Sequence, residues 1–286
     1  MSQSWSEDSE SIEELSYSEL EQIEINLLLD GIYHAYGCDF RNYLRTSIRR
    51  RIQHRMNLEG LNTITSLLEK VLHEPGFIDK LQNDFSIKVT EMFRDPSFFA
   101  AFRSEIVPLL RGLPEIRIWH AGCATGEEVY SMAILLLEEG LLDKTKIYAT
   151  DMNEHVIDSA KLGKFPLKRM QAFTKNYLHA GGNKEFSSYY TTDSEHAMFH
   201  SDIKKNMTFA QHNLATDRSF NEFHVILCRN VLIYFDPHLQ NRVHDLFFES
   251  LAPHGFLALG NMESIISTHK TQYEDINASE RIFRKN

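Results

Sequence analysis

The sequence predicts an α/β protein: an N-terminal all-helical domain, then a doubly wound, Rossmann-like sheet carrying a small β insertion. Three observations predict it. Helical apolar spacing fills the first 85 or so residues without a strand-like run. From Ile116 onward, short apolar runs alternate with helix-period segments, the signature of a parallel sheet with crossover helices. Between the first such run and its helix lies a glycine-containing turn, "AGCATGEE". At 286 residues the chain holds one large domain or two modest ones.

Taken in order, residues 1–18 are rich in Ser and Glu and read as a disordered acidic tail. The helical domain is expected over 19–86. Its first helix follows from Leu20, Ile23, Leu27 and Leu28, a second is expected over about Phe40–Met56, a third over Thr63–Leu72 and a fourth over Gly76–Phe85. Residues 87–286 form the sheet domain. Asp95–Pro96 makes a break, and a helix is expected from Ser97 to about Leu110. Strands are expected at 116–120, 146–150, 207–210, 223–228 and 255–259, with helices at 126–139, 153–161 and Pro237–Leu251. The tail suggests an antiparallel pair at about 271–276 and 281–285. Residues 180–205, polar and opened by Gly181–Gly182, interrupt the alternation and read as an insertion with a small β element.

Composition narrows the function class. The net charge is −10, yet residues 1–40 hold ten Asp/Glu and no Lys or Arg, so the remainder is near neutral. That balance argues against a nucleic-acid-coating protein. No apolar run reaches the roughly 18–20 residues of a membrane span, and the start lacks a signal peptide's basic and apolar regions. A cytoplasmic chain without membrane insertion is expected. Cys38, Cys123 and Cys228 form no close pair and read as small reduced core residues. Neither HExxH nor a His/Cys cluster of zinc spacing occurs, so no metal is expected, and His244 and His254 read as surface or satisfied core residues.

Four motifs carry chemistry. In "AGCATGEE", Gly122, Ala124 and Gly126 let a backbone approach a ligand at a strand's carboxyl end. No Gly-Lys-Ser/Thr follows, which excludes a phosphate-binding Walker loop. The helix opens with Glu127 and Glu128, which would repel a pyrophosphate and welcome a cation. This favours S-adenosylmethionine, with its amino group and sulfonium, over NAD or ATP. In "YATDMN", Asp151 closes the second strand, where an acid can accept ribose hydroxyls. In "VILCRNVLIYF", Arg229 and Asn230 stand at a strand tip and Tyr234 follows one turn later. In "VTEMFRDPSFF", Thr90, Phe93 and Arg94 lie in the link between the two domains.

Together these motifs resemble the CheR family, the S-adenosylmethionine-dependent methyltransferases of bacterial chemoreceptors. "GCATGEEVYSMA", "ATDMN", "CRNVLIYF" and "TEMFRDPSFF" occur at compatible spacing, and the resemblance runs from about residue 20 to the C-terminus. It implies a class I methyltransferase sheet behind an N-terminal helical domain. It implies methyl transfer to glutamate side chains on the cytoplasmic helices of methyl-accepting chemotaxis receptors, giving glutamyl methyl esters and S-adenosylhomocysteine. Its cofactor-contacting positions fall here on Lys88, Thr90, Arg94, Glu128, Asp151, Asn213, Leu214, Arg229 and Asn230. Glu128 would take the methionine amino group and Asp151 the ribose, while Arg94 and Tyr234 would face the acceptor. Lys88 replaces a usual Asn, Val129 a usual Pro and His224 a usual Asp.

Arg41, Arg45, Arg49 and Arg55 recur at near-helical spacing, with Arg50 and Arg51 added. They read either as a solvated face paired with the acidic front segment or as a docking surface for an acidic receptor helix. A monomer is expected. Three other readings remain: a methyltransferase for another acceptor, a regulatory scaffold that binds S-adenosylmethionine, and an NAD-dependent oxidoreductase. An N-P-P-Y-like motif for amino-group methylation is absent.

Overall fold

The structure, a computed structural model, describes residues 16–85, 90–266 and 268–286. It separates into two compact units, one of residues up to Arg41 with Ile48–Leu81, the other of Asn42–Ser47 with Gln82–Asn286. Helix α1 spans Tyr17–Tyr36. It starts at a capping box: Ser16 Oγ accepts the Glu19 N–H, and Glu19 Oε2 accepts the Ser16 N–H at 2.8 Å. It stops at Gly37, whose φ of 71° suits glycine. The buried face is Ile25, Leu28, Leu29 and Ile32, packed on α3 (Ile64–His73). Of the apolar positions expected to define the core face, only Leu28 is buried; Leu20, Ile23 and Leu27 are exposed. The helix carries two apolar stripes, and periodicity alone does not say which one finds a partner.

The second helix, α2, covers Arg45–Glu59. It starts five residues later than expected, because Phe40–Leu44 form an irregular turn. Helix α3 is capped by Thr63, whose Oγ1 accepts the Ser66 N–H at 3.1 Å. Helix α4 is Phe77–Phe85.

In the second unit, the helix expected over 97–110 is three pieces: α5 (Pro96–Ala101), a π turn (Phe102–Ile106) and α6 (Val107–Leu110). Pro108 lacks the N–H that would bond back one turn, and the ladder widens ahead of it. The strands and helices of the sheet follow: β1 (Ile116–Ala121), α7 (Glu127–Glu138), β2 (Thr145–Asp151) and α8 (Glu154–Leu162). Then come β3 (Lys164–Pro166), α9 (Met170–His179), β4 (Tyr190–Thr192), β5 (His196–Phe199), α10 (Ser201–Lys204) and β6 (Met207–Gln211). Last are β7 (Phe223–Cys228), α11 (Pro237–Ser250), β8 (Leu251–Leu259), β9 (Tyr273–Asn277) and β10 (Ile282–Lys285).

The main sheet runs β6-β2-β1-β7-β8-β10-β9. Its first five strands are parallel, and β10 and β9 close it antiparallel. Ile116 and Ile118 face one core, Trp119 and Ala121 the other, as the two-residue strand period requires. Strand order reverses at β1, between β2 and β7, so the crevice for a ligand opens above these carboxyl ends. His224, at the family's Asp position, is half-buried, and its Nδ1 accepts the Arg117 N–H at 2.9 Å. Burial pushes its pKa down, so a neutral imidazole does an acceptor's work beside β1.

The inserted element is a three-stranded antiparallel sheet, β3-β5-β4. It begins at Lys164, not at residue 180, and α9 belongs to the same stretch. A three-residue strand gives no periodicity to read. Glu138 at the end of α7 ties this stretch down: its buried carboxylate takes Arg103 at 2.6 Å and the hydroxyls of Tyr189 and Tyr177.

The assignment of α1's faces gives a stability test. Leu28→Ala is expected to cost about 2–5 kcal/mol in denaturant unfolding, and Leu27→Ala less than about 0.5 kcal/mol. Equal costs would refute it.

Candidate active site

A cleft of about 970 Å³, counting its open mouth, lies over the carboxyl ends of β1, β2, β6 and β7. Thr90, Arg94, Gly122, Glu128, Asp151, Asn213, Leu214, Arg229, Asn230 and Tyr234 all line it. The cofactor-facing and acceptor-facing positions expected from the sequence are thus brought together, except Lys88, which lies outside the described residues.

The turn after β1 is built by backbone constraint. Gly122 and Cys123 both donate to Thr150 O, at 2.8 and 2.9 Å. Ala124 has φ 48° and donates its N–H to Asp151 Oδ2 at 3.0 Å. Gly122 and Gly126 sit at φ 80° and 92°. A Cβ on Gly122 would lie 2.6 Å from Val231 Cγ2, and one on Gly126 would lie 3.0 Å from Ala160. The glycines therefore serve positive φ and the packing of neighbouring chain, beyond the ligand approach that the sequence suggested.

The two acids at the start of α7 separate. Glu127 is buried, takes Arg169 Nη1 at 2.9 Å and Thr125 Oγ1 at 2.6 Å, and is absent from the cleft lining. Burial pushes its pKa up. Only Glu128 faces the cleft. His120 Nδ1 lies 3.0 Å from Glu128 Oε1, and Arg229 Nη1 lies 3.1 Å from Oε2. Burial alone would raise the Glu128 pKa, but the His120 hydrogen bond and the Arg229 charge hold it below the ordinary value. Asp151 accepts the N–H groups of Ala124 and Asn153, each at 3.0 Å, and burial pushes its pKa up.

Arg229 lines the cleft and is also tied to protein groups. Its side chain is 1% exposed, and Nη2 pairs with Asp95 at 2.7 Å. Nη1 also reaches Arg94 O at 3.3 Å, and the guanidinium lies 4.0 Å over the Phe98 ring. Both Nη groups are engaged by protein, while the buried Nε has no hydrogen-bond partner among the described residues, and Arg229 lines the cleft beside the Glu128 it pairs with. Arg94 has no carboxylate partner among the described residues. The loop that carries it is fixed on both sides: Phe93 at φ 50° donates to Ser131 Oγ at 2.8 Å, and Asp95 stands at φ 55°. Arg169 donates to Thr90 O, and Asn176 to Met92 O at 3.1 Å.

The lining also includes residues that no motif singled out. Tyr43 is one; its hydroxyl lies 3.2 Å from Met152 Sδ and its ring packs edge-on to Phe235. His212 and Phe85 are others. Their positions depend on tertiary approach and leave no local pattern.

Of the arginines proposed for docking, Arg41 lies outside α2. It pairs with Asp39 at 2.9 Å and stacks 3.7 Å over Tyr33. Arg49 pairs with Glu21 at 2.8 Å, and Arg45 is exposed on the first turn of α2. Pairing with the acidic front segment, one of the two readings of this stripe, holds for Arg41 and Arg49. Cys123 and Cys228 are buried and Cys38 is partly exposed, so the reduced-core reading fits two of the three. Burial pushes both buried thiols well up, which removes a thiolate nucleophile. His244 is buried, bonds Ser264 O through Nε2, and has its pKa pushed down to about 4 by burial. No helix among the described residues is long and apolar enough to cross a membrane.

Comparison with known proteins decides the family. The model of the CheR methyltransferase SAM-binding domain matches residues 88–282, and that of the CheR methyltransferase all-alpha domain matches residues 23–86. The chain belongs to the CheR methyltransferase family. It is an S-adenosylmethionine-dependent methyltransferase. This CheR-family chain is 50% identical to Cher3 of Pseudomonas putida over 92% of its own length and 97% of that protein's. It is 29% identical to chemotaxis protein methyltransferase 2 of Pseudomonas aeruginosa, over 83% and 85% of the two chains. It is 26% identical to the chemotaxis protein methyltransferase of Listeria monocytogenes, over 81% and 86%.

The residues present fit S-adenosylmethionine. A left-handed, small-residue turn lines the cleft at the switch point, a carboxylate held ionised faces the cleft, and no phosphate-binding lysine follows the turn. The charge state of Glu128 gives a pH test. Its folded pKa lies below the ordinary 4.5, so its stabilising contribution is present above about pH 4.5 and is lost as pH falls through the folded value. Glu127 and Asp151 have the opposite sign, and acidification relieves their burial cost. The thermal midpoint of the wild type is therefore expected to exceed that of Glu128→Gln at neutral pH. The gap should shrink between about pH 5 and pH 3, and a constant gap would contradict the assignment.

Proposed function

We propose that the chain methylates glutamate side chains on the cytoplasmic helices of chemotaxis receptors, as a cytoplasmic enzyme, leaving glutamyl methyl esters. The observation that carries this reading is the meeting in one cleft of Glu128 and Asp151 with an Arg94 that has no carboxylate partner among the described residues. On this reading Glu128 holds the amino group of S-adenosylmethionine and Asp151 its ribose. Thr90, Asn213, Leu214 and Asn230 complete the seat, and Arg229 keeps Glu128 ionised and aimed. When bound, S-adenosylmethionine supplies a methyl group made electrophilic by its positively charged sulfur.

The protein's task is placement. A glutamate carboxylate has an unperturbed pKa near 4.3 and is already a nucleophile at neutral pH, so no general base is required. Arg94 can fork onto one carboxylate, and Tyr234 can donate to an oxygen. Holding both reactants in line accounts for about 7–11 kcal/mol in favourable cases. Pairing that is too tight would blunt the nucleophile, so these residues orient the acceptor and exchange no proton with it. The chemotaxis methyltransferases of Pseudomonas aeruginosa and Listeria monocytogenes support the receptor as acceptor by their names.

The deciding experiment is transfer of a labelled methyl group to receptor cytoplasmic fragments, followed by release of the label in base. Base-stable label, or none, would overturn the glutamyl ester. Tyr234→Phe is expected to lower turnover at least about tenfold while S-adenosylhomocysteine affinity stays within about threefold. Normal turnover with damaged cofactor binding would exclude its acceptor role. For docking, Arg45→Glu with Arg49→Glu should lower kcat/KM for the receptor fragment, with a deficit that shrinks as salt is added. Rates that ignore ionic strength would count against an electrostatic contact.

A further inference from the structure

Glu263 lies on the turn after β8, outside every motif that the sequence singled out. Its side chain is buried, yet no basic group pairs with it among the described residues. Four backbone N–H groups do instead. Oε2 accepts from Gly260 at 2.6 Å and Asn230 at 2.9 Å; Oε1 accepts from Val231 at 2.8 Å and Ile233 at 3.3 Å. Three of these donors belong to the turn that leads from β7 to Tyr234. They are amides at the start of a short 3₁₀ turn, Leu232–Tyr234, whose N–H groups have no partner within it.

The same turn is held on its other sides. Gln240 Nε2 donates to Leu232 O at 3.0 Å and Phe235 O at 2.9 Å. Val231 fills the space a Cβ on Gly122 would need. A Cβ on Gly260 would stand 2.8 Å from both Asn230 N and Glu263 Oε2, so the approach requires glycine. Asn230 itself sits at φ 61°, a strained value kept only where the surroundings over-determine it. A buried acid without a countercharge is a costly way to fill a core, and an apolar residue there would leave four donors orphaned.

We propose that Glu263 is a positioning residue: its carboxylate locks the Asn230–Tyr234 turn in the form that presents Tyr234 to the methyl acceptor. This rests on the reading of Tyr234 given above. Glu263 touches neither reactant and acts through the backbone of the turn.

The test is Glu263→Gln in the full chain, where an NH₂ group would face two N–H donors. At saturating S-adenosylmethionine, kcat with the receptor fragment is expected to fall at least about tenfold, with S-adenosylhomocysteine affinity within about threefold. Amide exchange at Asn230, Val231 and Ile233 should quicken at least about tenfold, while β7 keeps its protection. In a Tyr234→Phe background the same substitution should cost less than about threefold in kcat, because its target is gone. An equal loss in both backgrounds would make Glu263 merely structural and overturn the proposal, as would wild-type exchange in the turn. If Glu263→Gln does not fold, Gly260→Ala disturbs the same contact from the backbone side, with the same expectations. Absence of methyl transfer by the wild type would overturn the acceptor assignment instead, and the exchange comparison would still decide whether Glu263 holds the turn.

Discussion

The cleft depends on one buried guanidinium. Arg229 joins Glu128, Asp95 and the carbonyl of Arg94, and so ties the helix after β1, the strand tip of β7 and the 90–95 loop to one point. Buried ion pairs are weak evidence for stability, since desolvation offsets much of their attraction. Removing one partner is another matter: it leaves buried charge uncompensated, at a cost of about 3–5 kcal/mol. The contact with the Phe98 ring covers the face of the guanidinium and leaves its edge for the acids. What the arrangement secures is geometry. Glu128 keeps its charge and its direction, and Arg94 projects from a backbone that cannot drift.

Glu127 and Glu128 show how little a residue type says without its neighbours. They are adjacent on one helix, yet their pKa values move in opposite directions. Both are penalised by burial. Glu128 has His120 and Arg229 to offset it, whereas the Thr125 and Arg169 contacts of Glu127 do not overcome its burial. Glu127 is nonetheless used, because Arg169 bridges it to the carbonyl of Thr90 and so links the segment after β3 to the lining of the cleft. Ser131, one turn along the same helix, holds the other end of that loop through Phe93. Helix α7 is thus an organiser of loops as much as a crossover between β1 and β2.

This explains what could be read from the sequence. The strand-tip motifs were legible because their residues act where the strand ends: Glu128, Asp151, Asn230 and Tyr234 reach the cleft from the positions that the β-strand and turn pattern assigns. The alternation of β and α was legible for the same local reason. Tethers were not. Arg169, Ser131 and Glu263 hold backbone groups far away in sequence (Thr90, Phe93 and Val231), and nothing local to them announces those partners. The glycines of "AGCATGEE" were found, but half their reason was hidden in Val231 and Ala160. Arg41 shows the converse error. Its spacing suited a helix, but Asp39 and Tyr33 hold it in the turn before α2.

The electrostatics of the cleft finally bear on the choice of ligand. Asp151 is held by backbone N–H groups, those of Ala124 and Asn153 among them, and by no cation among the described residues, and burial leaves its carboxylate short of solvation. A ligand bearing hydroxyl donors would relieve that shortage; a phosphate would deepen it. Glu128 is already ionised and partly balanced by Arg229, so it can take an ammonium without a large change in its own charge state. A diol beside one acid and a cation beside the other describe S-adenosylmethionine better than any phosphate-bearing nucleotide. The same acids would repel a carboxylate that strayed to the cofactor side. Arg94 is the lining cation without a carboxylate partner among the described residues, and so, on the proposed reading, the place where an acidic acceptor would meet attraction. On the proposed reading, charge therefore gives the two reactants different partners in one cleft: Glu128 and Asp151 for the cofactor, Arg94 for the acceptor.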